Sequence, residues 1–187
     1  MTLRDGTYGV GPESGRLLVR TGRTGLGARA GHDLTIEVTG WSGTVTVSTA
    51  EPARSSVSLD LDADSLHVRE GHGGVKPLTD SDRAEIRRTI AGKILHTDQH
   101  PVIKFRSTRV AGSPESFTVD GDLTIMDATR PVTVRGTIGE DGRVRGEATV
   151  AQTQWGIKPY SAFLGALKLA DEVTVELDAP LTPVAPS

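Results

Sequence analysis

The chain of 187 residues has no cysteine. That excludes disulfides, thiolate nucleophiles and cysteine-based zinc sites. Aromatic residues make up only 4%: Tyr8, Trp41, Phe105, Phe117, Trp155, Tyr160 and Phe163. The core must therefore be filled mainly by aliphatic and small side chains, which can leave space inside. Neither sign of charge dominates, with 21 Lys and Arg against 24 Asp and Glu and a net charge of −3. A nucleic-acid or anionic-membrane partner is therefore not expected. Long hydrophobic runs are also missing, and no stretch approaches the roughly 18 apolar residues of a membrane span. The opening MTLRDGTYGVGPESG has no basic segment followed by an apolar core, so a cytoplasmic location is expected. There is no G-x-S-x-G elbow, and neither Ser107 nor Ser161 has an obvious base beside it in sequence, so no catalytic residue is assigned.

What the chain does have is period-two alternation. Leu34, Ile36 and Val38 alternate with Thr35, Glu37 and Thr39; Val45 and Val47 sit among threonines. Val57, Leu59 and Leu61 alternate with Ser58, Asp60 and Asp62, and Ile103 and Phe105 with Lys104 and Arg106. Phe117, Val119, Gly121, Leu123 and Ile125 run opposite Thr118, Asp120, Asp122 and Thr124. Val132, Val134, Gly136 and Ile138 follow, then Val144, Gly146, Ala148 and Val150, and finally Val173, Val175 and Leu177. Each segment carries one apolar and one polar face, the pattern of antiparallel strands buried on one side. Turn signals at Gly40, Gly43, Gly112-Ser113-Pro114 and Asp141-Gly142 separate them.

About eight or nine such strands either close into a barrel or stack as a sandwich. Glycines on the inward face, Gly121, Gly136 and Gly146 with Ala148, fit two readings: unfilled volume, or the bends and bulges that closure needs. One stretch breaks the pattern. From Ser81 to Leu95, Ile86, Ile90 and Ile94 recur every four residues, with Ala91 and Leu95 beside them, and predict an amphipathic helix. Asp82 and Glu85 suggest its capping box. A weaker helical or looped stretch covers Pro159 to Leu169. The expected organisation is one domain over 1–179 and a frayed Pro-rich tail over 180–187.

His32, His96 and His100, with Asp33 or Asp98, are the plausible metal-ligand set. Pro101 forces His100 into an extended conformation, so the pair His96 and His100 does not share a helical face. No metal or cofactor is therefore assigned. His67 and His72 read as loop histidines, and Arg83, Arg87 and Arg88 as a solvated helix face.

Four stretches carry a family resemblance. His100-Pro101-Val102-Ile103-Lys104-Phe105-Arg106-Ser107 matches a Pro-x-Ile-x-Phe-x-Ser segment, with His100 where Tyr is usual. Gly121-Asp122-Leu123-Thr124-Ile125, leading to Pro131-Val132, matches a characteristic hairpin. Trp155-Gly156-Ile157 and Leu169-Ala170-Asp171-Glu172-Val173 match a turn and a closing strand. Over roughly 31–177 the chain resembles the YceI-like family. The resemblance implies an all-β fold: an eight-stranded antiparallel, lipocalin-like barrel with one or two short helices near the mouth. It also implies an apolar, lipid-like ligand of the isoprenoid, quinone or fatty-amide class, and leaves a homodimer open. The expected ligand-binding residues are Ile36, Val45, Leu59, Leu61, Phe105, Leu123, Ile125, Val134 and Val150 along the interior. His32, Tyr160 and Phe163 would meet a head group. About ten buried methylenes would supply roughly 8 kcal/mol gross. The alternatives are a histidine-based metal protein or enzyme, and a dimeric interaction scaffold with a filled barrel.

Overall fold

The computed structural model describes residues 3–162 and 167–185. The strands are β1 (Gly6–Val10), β2 (Arg16–Arg20), β3 (Arg23–Thr24), β4 (His32–Val38), β5 (Trp41–Val47), β6 (Ser56–Asp62) and β7 (Leu66–Gly73). Helix α1 (Asp80–Thr89) follows, then β8 (Val102–Ser113), β9 (Ser116–Ile125), β10 (Ala128–Ile138) and β11 (Arg143–Ala151). The chain closes with β12 (Ser161–Ala162), β13 (Leu167–Leu169), β14 (Glu172–Pro180) and β15 (Thr182–Pro183).

Twelve strands make one curled sheet in the order β15-β1-β5-β6-β8-β9-β10-β11-β14-β2-β4-β7. Several neighbours are halves of a single bent strand. Only Thr39 and Gly40 separate β4 from β5, and only Ala63, Asp64 and Ser65 separate β6 from β7. At this corner Asp62 N–H donates to the Gly40 carbonyl at 2.8 Å, and the buried Ser65 hydroxyl donates to the Asp62 carbonyl at 2.7 Å. With the halves of the bent strands joined, including β1 with β2, eight long antiparallel strands remain. β2 pairs with β14 on one side and β4 on the other, so the ring of strands returns to its start. The alternation left a barrel or a sandwich open, and the all-β barrel implied by the family resemblance is the fold found.

The alternation works as the one-sided burial rule requires. Val119, Gly121 and Ile125 of β9 are buried, while Asp122 between them is exposed. Strands hidden from sequence reading include β1, β2 and β7. The pairing of β7 with β4 slips between Thr35 and Ile36, leaving Arg69 as an extra residue, and that bulge breaks the period. It also places His67 and His72 in a strand rather than a loop.

α1 starts one residue before the expected Ser81, and its cap is Thr79 rather than Asp82. The Thr79 hydroxyl accepts from Asp82 N–H at 3.1 Å, and the Asp82 carboxylate accepts from Thr79 N–H at 2.8 Å. Past Thr89 the helix widens into a π turn over Ile90–Ile94, with Leu95 N–H donating to the Ile90 carbonyl at 2.8 Å. Ile86 and Ile90 pack against Leu34, Ile36 and Val68. Ile90, Ile94 and Leu95 pack against the end of the barrel around Trp155. No helix among the described residues is long and apolar enough to cross a membrane.

Of the stretch expected to be helical or looped, the described residues Ser161–Ala162 and Leu167–Leu169 are short strands: β12, β13 and β3 form a small three-stranded sheet. The tail is built in as well. β15 pairs with β1, and Leu181 is only 7% exposed, because the edge of β1 offers backbone partners and the core offers an apolar seat. The frayed tail expected after residue 179 is therefore corrected as far as residue 183.

Candidate functional site

The barrel interior has two unlike halves. Near α1 it is packed solid: Leu95, Ile125, Val132, Ala148, Val150, Trp155 and Ile157 form one buried cluster. Trp155, 3% exposed, is its plug, and the indole N–H donates to the Leu123 carbonyl at 2.9 Å. Remote from α1, where β5 meets β6 and β8 meets β9, a cavity of about 140 Å³ remains. Its walls come from Val45 and Val47 of β5, Val57 and Leu59 of β6, and Phe105 and Val110 of β8. Phe117 and Val119 of β9, Val134 and Ile138 of β10, Val144 of β11 and Leu177 of β14 complete them. Ser48, Thr49, Pro52, Ser55, Ser113 and Pro114 form the rim, and among the described residues none that lines the cavity carries an ionisable side chain.

Two aromatic rings line the cavity at different depths, Phe105 beside Leu123 and Phe117 one pair from the Ser113–Ser116 turn at the mouth. Phe105 lies over Gly121, where a Cβ would come within 2.4 Å of the ring, and Phe117 lies over Gly136, where it would come within 2.6 Å. These inward glycines are thus neither empty volume nor bends: they are seats for rings. Phe117 faces Gly136 directly across the strands, whereas Phe105 sits diagonally from Gly121.

The mouth has a backbone cause. Pairing of β6 with β8 ends at Ser58 and Arg106, and the register of β8 on β9 shifts between Ser107 and Arg109. Val57 N–H donates to the Ser107 hydroxyl at 2.8 Å. Beyond this bulge Ser55–Val57 and the residues Val110, Gly112 and Ser113 line the cavity without pairing to each other, and a short 3-10 turn over Pro52–Arg54 packs against β8.

Charged side chains of both signs stand just outside the lining, with Arg4 between the lining residue Leu3 and Asp5. The Asp5 carboxylate accepts from Thr49 N–H at 2.8 Å and from the Thr49 hydroxyl, which hold its pKa below the ordinary carboxylate value. Glu115 is lowered in the same way, first by the Ser113 hydroxyl and then by its own backbone N–H. Arg54 on the loop is paired with Glu51 at 2.9 Å.

Of the residues expected to bind a ligand, Val45, Leu59, Phe105 and Val134 come together around the cavity. Leu123, Ile125 and Val150 lie in or against the packed half, Ile36 lies in the cluster under α1, and Leu61 packs on the core beside Trp41. Tyr160 is 49% exposed, and Phe163 lies outside the described residues. His32 has its Nε2 2.7 Å from the Lys76 carbonyl, at the end of the barrel away from the cavity. His100 Nδ1 sits 3.7 Å from an Asp127 carboxylate oxygen, and His96 ends the helix with a positive φ of 48°. Among the described residues no group of three or more His, Asp or Glu side chains is placed to hold a metal ion. Val110, Phe117, Val119 and Ile138 were missed as lining residues. The bulge at Thr108 reverses the alternation, so reading β8 forward from Phe105 turns Val110 outward.

The comparisons with known proteins agree with this architecture. BcnA of Burkholderia cenocepacia superposes with a TM-score of 0.67 at 18% identity, covering 88% of this chain and 94% of that one. A YCEI protein of Campylobacter jejuni superposes at 0.56 with 9% identity, covering 81% and 85%. Both likenesses concern the fold. In sequence, a UPF0312 protein of Pseudomonas savastanoi pv. phaseolicola is 27% identical over 129 residues, which span 63% of this chain and 60% of that relative. A UPF0312 protein of Pseudomonas putida is 32% identical over 105 residues, 55% and 48% of the two chains. The YceI-like domain family matches residues 19–181, which is most of the chain and nearly the whole ring of strands, and the chain belongs to that family.

Proposed function

We propose that this protein binds an apolar small molecule of the isoprenoid, quinone or fatty-amide class inside the barrel and does no chemistry on it. What supports the reading is one observation: a family barrel whose half remote from α1 keeps an apolar cavity of about 140 Å³ that opens at the parted ends of β6 and β8. Moving an apolar group from water into such a space stabilises the complex by about 0.8 kcal/mol per methylene, before ordering and association costs. The same reading includes a homodimer, which sedimentation equilibrium reads directly.

The test is native mass spectrometry and solvent extraction of protein purified from its own host. An apolar guest in roughly stoichiometric amount is expected. Val57→Glu, which sets a carboxylate into the wall at the mouth, should release it. Protein that carries no guest and takes up none of a panel of isoprenoid alcohols, quinones and fatty amides would remove the proposal.

A further inference from the structure

The size of the cavity and the charges at its mouth narrow the ligand. We infer that the cavity takes a compact, uncharged apolar group, about the size of a benzene ring or the terminal branched unit of an isoprenoid chain, and rejects the same skeleton bearing a carboxylate or phosphate. This rests on the reading that the cavity is the binding site.

Size is the first ground. An apolar cavity of about 150 Å³ in another protein stays dry and binds benzene; the space here is about 140 Å³. It cannot lengthen cheaply. Phe105 and Phe117 are seated on Gly121 and Gly136, so their rings have no room to sink toward the strands. Behind Phe105 the barrel is filled by the cluster around Trp155, on which its cross-strand neighbour Leu123 packs. A long chain therefore buries its end only, and its remaining length stays outside the mouth.

Charge is the second ground. Among the described residues no lining side chain is ionisable, so an anion drawn inside would lose its hydration with no counter-charge from them to replace it. An anionic head left at the rim meets carboxylates as well as the exposed Arg4, which stands between the lining residue Leu3 and Asp5. Thr49 and Ser113, both lining residues, hold the carboxylates of Asp5 and Glu115 beside the opening. The one cation of the 48–55 loop, Arg54, is already paired with Glu51. A neutral hydroxyl, carbonyl or amide meets no such opposition and finds serine and threonine at the rim.

The experiment is an NMR titration of the full chain with 1-hexanol, hexanoate at about pH 8, and farnesol, reading the methyl signals of Val110 and Val119. Hexanol is expected to shift both, hexanoate to bind at least about 100-fold more weakly, and farnesol to bind within about tenfold of hexanol because only its end enters. Val110→Phe should abolish the hexanol shifts at Val119. Leu59→Ala, which enlarges the same space, should favour 1-octanol over hexanol, and this arm stays readable if Val110→Phe does not fold. Equal binding of hexanoate and hexanol overturns the charge selection. Affinity rising roughly fourfold with each added methylene all the way to farnesol overturns the compact cavity while leaving the binding reading in place. No shift with any probe overturns the binding reading itself, and this inference with it.

Discussion

The ring of Phe105 lies across the bare backbone of Gly121, with its Cζ only 2.4 Å from where a Cβ would stand. Phe105 is 5% exposed, so it has nowhere else to go. Gly121→Ala should therefore destabilise the fold by about 1–3 kcal/mol, the usual range for overpacking a close-packed site. In a Phe105→Leu background, where the ring is gone, the same change should cost at least about 0.5 kcal/mol less. Urea denaturation of the four proteins of this cycle measures the coupling, and strictly additive effects would show that the ring does not use the glycine.

Trp155 makes a second prediction, aimed at the other half of the barrel. Trp155→Ala removes a buried plug and its hydrogen bond to the Leu123 carbonyl. A loss of about 3–5 kcal/mol is expected in chemical denaturation. Ligand uptake at the remote cavity should stay within a few-fold of wild type, at temperatures where the variant is folded. A selective loss of uptake with unchanged stability would mean that the two halves are not separate.

His67 predicts a pH effect on stability. Burial, then Arg87 and Arg69, push its pKa below the ordinary 6.5, although Asp64 and Glu37 act in the opposite sense. The unfolded chain takes up this proton near pH 6.5, while the folded chain takes it up only at lower pH. Between the two values the unfolded state binds more protons, so stability is complete above pH 6.5 and falls as the solution is acidified. Thermal melts from pH 7.5 down to about 5 should show a steeper decline for wild type than for His67→Gln.

A separate acid limb belongs to Asp141, whose carboxylate is held at about 2 against an ordinary 3.8. The chief cause is the hydrogen bond from Arg145 Nη2 at 2.6 Å, followed by that from Arg143 N–H at 3.1 Å. Its contribution is present above pH 3.8 and is lost as pH falls from 3.8 toward 2. Asp141→Asn should flatten the fall of the urea midpoint in that window and leave the His67 window unchanged; an identical acid limb in the variant would contradict the assignment.

Much of the ring of strands could be read from the chain alone. Alternation in β6, β9, β10, β11 and β14 assigns each its buried face, because a strand with one wet side must sort its residues two by two. The four-residue spacing of Ile86, Ile90 and Ile94 likewise marks the helix, though not its π turn, which depends on what those isoleucines meet. β1, β2, β7 and the tail were not legible, because bulges and short strands leave no period to follow.

The position of the empty space was decided only in three dimensions. Every inward residue of a regular strand looks alike in sequence, whether it touches a neighbour or borders a void. Volume is what remains after side chains from eight strands and a helix have packed, so no single segment encodes it. Trp155 and Leu95 close one half, two rings settle on two glycines, and an extra residue at Thr108 parts β8 from β6. The sequence by itself determined antiparallel strands with one aliphatic face; the meeting of residues far apart in the chain closed them into a ring and decided which part of that lining was left without a partner.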